Sequence, residues 1–327
     1  MRKTTRDPAC LSRTLLPRSS SGALEISFGW LFAIVAGIFI IALAIYFSSK
    51  IVGTQQEVSS AETATELGTL LDPLETSFES AQTSSVTLSA ESRIHNSCDL
   101  TGSFGQQIIQ IDQKSLNKWT KTDVDVEFSN KYIFSESEIE GKKFYIFSKQ
   151  FKFPFKIADL IYMTSSADIY CFVDAPAEIK EEISNLNQSN LLTENCSSTD
   201  IDICFDSSNC DVNVDYTNGI VEKNGSVMYI SGVEDYKALM YAAIFSNKET
   251  YECQVERLMM RLKELSEIYA DKNSKITGRG CSTNFADSFT GLIDSLSLYS
   301  SSEDLSIIKT EMENMDEKNN AGVCMLW

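Results

Sequence analysis

The chain is poor in the residues that usually do chemistry. Its 327 residues include one histidine, His95. Any Ser-His-Asp or Cys-His arrangement would have to use it. No serine sits in a G-x-S-x-G turn. The "TGRG" at Thr277–Gly280 is too short for a phosphate-binding loop and follows no strand pattern. There is no CxxC pair, so neither a zinc site nor any other metal or cofactor is expected. Basic residues are scarce too. Lys and Arg number 28 against 46 Asp and Glu, a formal net charge of -18. Nucleic acid is therefore not an expected partner, because its phosphates demand positive charge. Carboxylate pairs are the chemistry that remains, but sequence does not locate a pair. No catalytic residue is assigned, and the chain is read as no enzyme.

What the chain does have is one long apolar run. In "GALEISFGWLFAIVAGIFIIALAIYFSSK", Gly22 to Lys50, the residues from Phe28 to Phe47 carry no charge. A twenty-residue helix rises about 30 Å, the thickness of a hydrocarbon core. Before it lie Arg2, Lys3, Arg6, Arg13 and Arg18; after it come Glu57, Glu62, Glu66, Asp72, Glu75 and Glu79. Basic flanks stay cytoplasmic, so the N-terminus is expected inside and the rest outside. A signal-peptidase site at Ala42-Leu43-Ala44 is disfavoured, because Ile45-Tyr46-Phe47 continues the apolar run. Glu25, Gly29, Ala33 and Gly37 recur every four residues and share one helix face. Small residues at that spacing let membrane helices approach closely, although Gly and Ala are common in such helices anyway.

The cysteines divide along the same line. Cys10 precedes the run, and Cys98, Cys171, Cys196, Cys204, Cys210, Cys253, Cys281 and Cys324 follow it. An even set in an oxidising compartment reads as disulfides, with connectivity undetermined. Asn-x-Ser triplets at Asn187, Asn195 and Asn224 lie in the same segment and permit N-glycosylation.

The segment "ISFGWLFAIVAGIFIIALAIY", with "FPFKIADLIY", "YCFVDAP" and "LMYAAIFSNKETYECQVERLM", resembles a group of single-pass archaeal membrane proteins. That resemblance implies placement in a membrane, and no activity. The N-terminus also resembles a type IV pilin leader, with Gly22 before the cut. Glu25 would then be the third mature residue, where the family has its glutamate fifth.

Four regions are expected: a basic tail or leader at 1–27, a transmembrane helix at 28–47, a Ser/Thr/Glu-rich stalk at 48–95 and an extracytoplasmic domain at 96–327. Strands are expected from about Cys98. Phe151, Phe153, Phe155 and Ile157 alternate along "QFKFPFKIADLIYM", which reads as one strand. Pro154 places it at an edge or bulge. Lys142, Lys143, Lys149, Lys152 and Lys156 read as an edge-guarding face or as a contact for anionic partners. Asp211, Asn213, Asp215 and Glu222 have part of a calcium-loop spacing. Tyr216 stands where that loop needs Gly, and Asn218-Gly219 reads better as a hairpin turn. A short helix is expected over Pro176–Gln188. The last third is helical: Val233–Phe245, then a helix capped by Ser246 and running to about Asp271, then two more marked by Phe285, Phe289, Leu292, Leu296 and by Leu305, Ile308, Met312, Met315. The apolar end "AGVCMLW" is expected to be pinned to the domain.

The fold class is thus α+β: a transmembrane helix and stalk, then a disulfide-containing domain with an antiparallel sheet and a helical C-terminal third. The expected function is a membrane-anchored extracytoplasmic structural or interaction protein of the cell envelope, with a pilin-like leader as one reading. Its expected partners are the lipid membrane and a second copy or another membrane helix. The alternatives are a surface ligand-binding or sensing module and an extracellular hydrolase using a carboxylate pair.

Overall fold

The computed structural model describes residues 28–75, 83–115, 118–120, 125–207, 209–230, 236–281, 285–322 and 324–327. For 52–75, 115, 120 and 236 it describes the backbone alone. Cys10, Gly22 and Glu25 lie outside the described residues. The chain divides into two compact units, 1–52 and 53–327. Helix α1 covers Phe28–Glu75 and ends two residues past Pro73. Its stretch Phe28–Ile51 is long and apolar enough to cross a membrane.

The second unit holds two sheets. The first contains β1 (Thr83–Asp99), β2 (Gln106–Ser115), β3 (Lys118–Thr120), β4 (Val126–Phe128), β5 (Tyr132–Phe134), β6 (Glu138–Lys152) and β7 (Lys156–Ser165), in the order β3-β2-β1-β6-β7-β5, with β4 also on β2. Its pairs are antiparallel except β5 with β7. Strand structure thus begins at Thr83, inside the segment expected to be stalk. The polar sequence from Thr83 to Asp99 hides it, because few of its residues face a core: Leu88 and Ile94 do.

Side chains alternate between two clusters along these strands. Phe147 and Phe151 of β6, Leu160 and Tyr162 of β7, and Tyr132 and Phe134 of β5 enter the main core. Phe144, Ile146, Ile161, Met163 and Ile133 enter a second core with Ile94, Ile109, Ile111 and Ile139. Every member of that second core comes from this sheet, so the sheet curls over and buries one face against itself. Side-chain amides close the curl. Asn96 Nδ2 donates to the Ile133 carbonyl at 3.2 Å, and the Ile133 N–H donates to Gln107 Oε1 at 3.0 Å. Two amides on β1 and β2 thus satisfy the outer backbone groups of edge strand β5.

The expected single strand over "QFKFPFKIADLIYM" is a hairpin. β6 ends at Lys152, β7 starts at Lys156, and Phe153-Pro154 is a cis peptide in the turn. The proline sits where no ladder donor is needed. Phe151, Phe153, Phe155 and Ile157 still all reach the main core. Both strands are interior, so their lysines guard no edge. Lys149 pairs with Glu182, Lys156 with Asp159 at 2.6 Å, and Lys143 lies 4.5 Å from the Tyr145 ring centre.

The second sheet contains β8 (Tyr170–Val173), β9 (Leu191–Leu192), β10 (Ile201–Phe205), β11 (Val212–Asp215), β12 (Ile220–Lys223) and β13 (Ser226–Tyr229), in the order β13-β12-β11-β10-β8-β9. β9, β8, β10 and β11 run parallel; β11, β12 and β13 form an antiparallel meander. Helix α2 (Ala177–Leu186) follows β8, with Pro176 at its N-cap. Asp211 to Glu222 forms the expected hairpin, and Asp215 Oδ1 accepts the Asn218 N–H at 2.9 Å.

Four helices complete the unit: α3 (Tyr236–Phe245), α4 (Lys248–Thr277), α5 (Ala286–Ser297) and α6 (Leu305–Ala321). Ala238 to Phe245 are all buried, so α3 is apolar on every side and sits in the main core, against strands of both sheets. Lys223 from β12 satisfies carbonyls at its end, donating to Ile244 O at 2.8 Å and Ser246 O at 3.2 Å. The cap of α4 is Asn247, which accepts the Thr250 N–H, and not Ser246, whose hydroxyl bonds back to Ala242 O. A polar residue was expected at this boundary; the register was off by one. The apolar end packs inward as expected: Trp327 contacts the rings of Phe155, Tyr269, Phe285 and Phe289.

Candidate functional site

The first helix is apolar from Phe28 to Phe47, followed by Ser48, Ser49 and Lys50 before Ile51. Phe28–Ile51 spans 24 residues at mean hydropathy 2.7, with none of its most apolar window buried. At 1.5 Å per residue that is about 36 Å, enough to cross the hydrocarbon with some tilt. Phe28, Trp30, Phe32, Ile38, Phe39, Ile41 and Phe47 all stay exposed. Gly29, Ala33 and Gly37 share one side of it. A Cβ added at Gly29 or Gly37 would meet nothing within 4 Å, so this face carries no packed neighbour among the described residues.

The eight cysteines after the apolar helix form four disulfides. Cys98–Cys253 ties the end of β1 to α4, with Cα atoms 6.1 Å apart. Cys171–Cys196 links β8 to the loop before β10 at 5.9 Å. Cys204–Cys210 closes the short connection between parallel neighbours β10 and β11, also at 5.9 Å. Cys281–Cys324 joins the loop after α4 to the C-terminal segment at 6.3 Å. These separations suit the covalent bond. Six residues, 206–211, join β10 to β11, far fewer than a parallel connection usually takes. The disulfide clamps that turn-back.

His95 lies on the outer face of the curled sheet. Register places Arg93 opposite Asp112 and Glu140, and His95 opposite Gln110 and Glu138. His95 Nε2 is 3.0 Å from Asp112 Oδ2, and Nδ1 is 3.5 Å from Glu138 Oε2. Arg93 pairs with Glu138 and Glu140 at 3.0 Å each and lies 4.4 Å from the Trp119 ring centre. The hydrogen bond to Glu140 pushes the Arg93 guanidinium up, favouring its charged form. The Asp112 side chain is 2% exposed, so His95 and its neighbours screen it from water. Both ring nitrogens face carboxylates, and neither meets a Ser, Thr or Cys among the described residues. A nucleophile-activating histidine needs one nitrogen on the nucleophile. The arrangement here is a cross-strand clasp of alternating charges.

Two open, polar grooves flank the β11–β12 hairpin. One, of about 590 Å³, is lined by Asp206, Asn213, Asp215 and Glu222. The other, of about 420 Å³, is lined by Asp211, Glu222, Lys223 and Asn224. The Asp215 carboxyl is held below its usual range by the Asn218 N–H. Among the described residues no three His, Cys, Asp or Glu side chains group closely enough to hold a metal ion. Asn187, Asn195 and Asn224 are all exposed, each with a left-handed backbone at φ 52°, 58° and 51°.

One buried polar network was not visible in the sequence. Arg257 of α4 is wholly buried and donates to Gln254, which donates to Gln107, which donates in turn to Asn96. No protein family, curated protein or solved structure matches this chain.

Proposed function

We propose that this is a membrane-anchored extracytoplasmic structural or interaction protein. The anchor is the apolar part of α1, and the disulfide-bonded α+β domain is its working surface outside the membrane. One observation carries the reading: a helix of 24 uncovered, membrane-length residues precedes a domain whose eight cysteines are all paired. Disulfides persist in oxidising compartments, which agrees with basic residues before the helix and acidic ones after it. The clasp around His95 favours a non-catalytic role, because Nε2 is hydrogen-bonded to Asp112 and Nδ1 lies nearest Glu138, with no nucleophile at either among the described residues. The open face of Gly29, Ala33 and Gly37 suits a second copy or another membrane helix. The pilin-like reading belongs to this same proposal, as one form the assembly takes.

Crosslinking of the full chain in its native membranes tests this. A crosslinked homo-oligomer or heterocomplex that weakens in Gly37→Leu is the expected result. A strictly monomeric chain at native levels contradicts it. A surface ligand-binding module is the second reading, favoured by the polar grooves beside β11 and β12. A small ligand that co-purifies and is lost in Asn213→Leu would favour that reading over the first.

A further inference from the structure

The three Asn-x-Ser triplets look alike in sequence, but the fold treats them differently. Asn187-Gln188-Ser189 follows α2. Gln188 is 5% exposed and donates to Thr83 Oγ1 at 2.8 Å and to the Ile146 carbonyl at 3.2 Å. The Ser189 hydroxyl is hydrogen-bonded to the Tyr145 phenol at 2.6 Å. Asn195-Cys196-Ser197 is tied through its middle residue to Cys171, which is fully buried. Its Ser197 N–H donates to Asp200 Oδ2 at 2.7 Å.

Asn224-Gly225-Ser226 is different. Lys223 and Ser226 are Cα partners, so Asn224 and Gly225 are the two turn residues of the β12–β13 hairpin. Their φ angles of 51° and 72° fit the turn that favours Asn-Gly. Both are exposed, and a Cβ at Gly225 would meet nothing within 4 Å. Among the described residues, neither the Asn224 amide nor the Ser226 hydroxyl is held by a hydrogen bond.

We propose that Asn224 carries an N-linked glycan added to the folded domain, and that Asn187 and Asn195 stay bare. The proposal rests on the extracytoplasmic reading above. A transferase must take the Asn amide and the Ser hydroxyl two residues on into its own cleft. A protruding turn with a glycine at its centre yields to that. A triplet with a buried middle residue, or one bound by a disulfide, does not. The donor is an oligosaccharide linked through phosphate to a lipid. The Asn224 Nδ2–C1 bond forms as the bond between C1 and the phosphate oxygen breaks. The lipid phosphate leaves as the anion, and the one proton lost by the amide nitrogen passes to solvent.

The position has a physical consequence. β13 is an edge strand. Its far end is covered: the Tyr229 N–H donates to Ser302 Oγ at 3.2 Å, and its carbonyl accepts from the Tyr251 phenol at 2.6 Å. Ser226 and Val227, beside the turn, are only half-buried. A glycan on Asn224 would shield that open end from pairing with another strand.

The test is mass spectrometry of intact glycopeptides. The full chain is extracted from membranes of cells that have a lipid-linked oligosaccharide transferase, and its disulfides are mapped in the same sample. Glycan at Asn224 alone is expected, with loss of it in Ser226→Ala. Asn224 without glycan overturns the proposal, as does occupancy at Asn187 or Asn195 equal to that at Asn224. Four intact disulfides beside a bare Asn224 would overturn the glycan alone. Eight free thiols would overturn the extracytoplasmic reading with it.

Discussion

Arg257 shows how a single residue organises this domain. Among the described residues it meets no carboxylate. It donates instead to the carbonyls of Phe104 at 3.1 Å, Gly105 at 3.5 Å, Phe128 at 3.3 Å, Ser129 at 3.1 Å and Lys131 at 2.8 Å, and to Gln254 Oε1 at 2.8 Å. It also lies 4.7 Å from the Tyr132 ring centre. Burial pushes its pKa down to about 10, so it stays charged at neutral pH. The five-donor fork suits a ring of carbonyls that no other side chain could serve. Gly105 fits beneath it: with φ 58°, an added Cβ would come 2.5 Å from Asp99 O and 2.9 Å from Arg257 Cγ. Arg257→Met should cost about 3–5 kcal/mol, because it leaves several buried carbonyls without donors. Urea unfolding followed by tryptophan fluorescence measures this; a loss under about 1 kcal/mol would mean the ring is not stabilising. The network was illegible in the sequence. Gln254 and Arg257 read as ordinary polar members of a helix, and their partners lie more than 120 residues away along the chain.

Four tyrosines set the alkaline limit. Burial pushes the phenols of Tyr170, Tyr241, Tyr251 and Tyr299 well above their usual range. In the unfolded chain a tyrosine loses its proton near pH 10. The native state holds these four protons longer, so their stabilisation is complete below pH 10 and is lost as pH rises beyond it. Arg257, and Tyr145 whose phenol the hydrogen bond to Ser189 pushes down, work in the opposite sense over the same range, while Tyr269, also pushed up by burial, adds to the four. Stability should therefore fall above pH 10. A spectroscopic titration should show part of the twelve tyrosines ionising only as the protein unfolds. Free ionisation of all of them with the fold intact would contradict this.

At the scale of elements, the amphipathic helices were the readable part. Phe289, Leu292 and Leu296 of α5, and Leu305, Ile308, Met312 and Met315 of α6, are buried as their spacing implies. In α4, Val255, Leu258 and Leu262 are buried and Leu265 and Tyr269 on the same stripe are half-buried, and the helix runs past Asp271 to Thr277. Strands were harder. β1 is polar on its outer face and contributes few apolar residues, so its residues 83–95 passed for stalk. The β6–β7 hairpin kept its alternation through the turn, because Phe153 and Phe155 are core residues on either side of Pro154. The apolar run of α3 marks a helix without saying that it is central. Disulfide pairing could not be derived, since it depends on which distant elements meet. Cys98–Cys253 closes a sequence separation of 155 residues and ties β1 to α4. Loop-closure entropy assigns such a bridge about 5 kcal/mol, with typical measured effects of about 2–5 kcal/mol. Cys98→Ser with Cys253→Ser should cost about 3–5 kcal/mol in denaturant unfolding. Replacing the short Cys204–Cys210 bridge should cost less; the reverse ranking would count against the account.

For the molecule as a whole, three features agree. A membrane-length apolar helix sits near one end, the charge balance changes sign across it, and the cysteines after it are paired. The candidate site was legible only in part: the membrane-length apolar helix and the cysteine set could be read, while the clasp around His95 arises from strand register. The most direct test of the account is a thiol inventory of the full chain in its native membranes. Free thiols are alkylated before extraction, and the peptides are mapped without reduction. The account predicts label at Cys10 alone, with Cys98–Cys253, Cys171–Cys196, Cys204–Cys210 and Cys281–Cys324 recovered as pairs. Alkylation throughout those eight cysteines would contradict both the disulfide framework and the proposed extracytoplasmic placement of the domain.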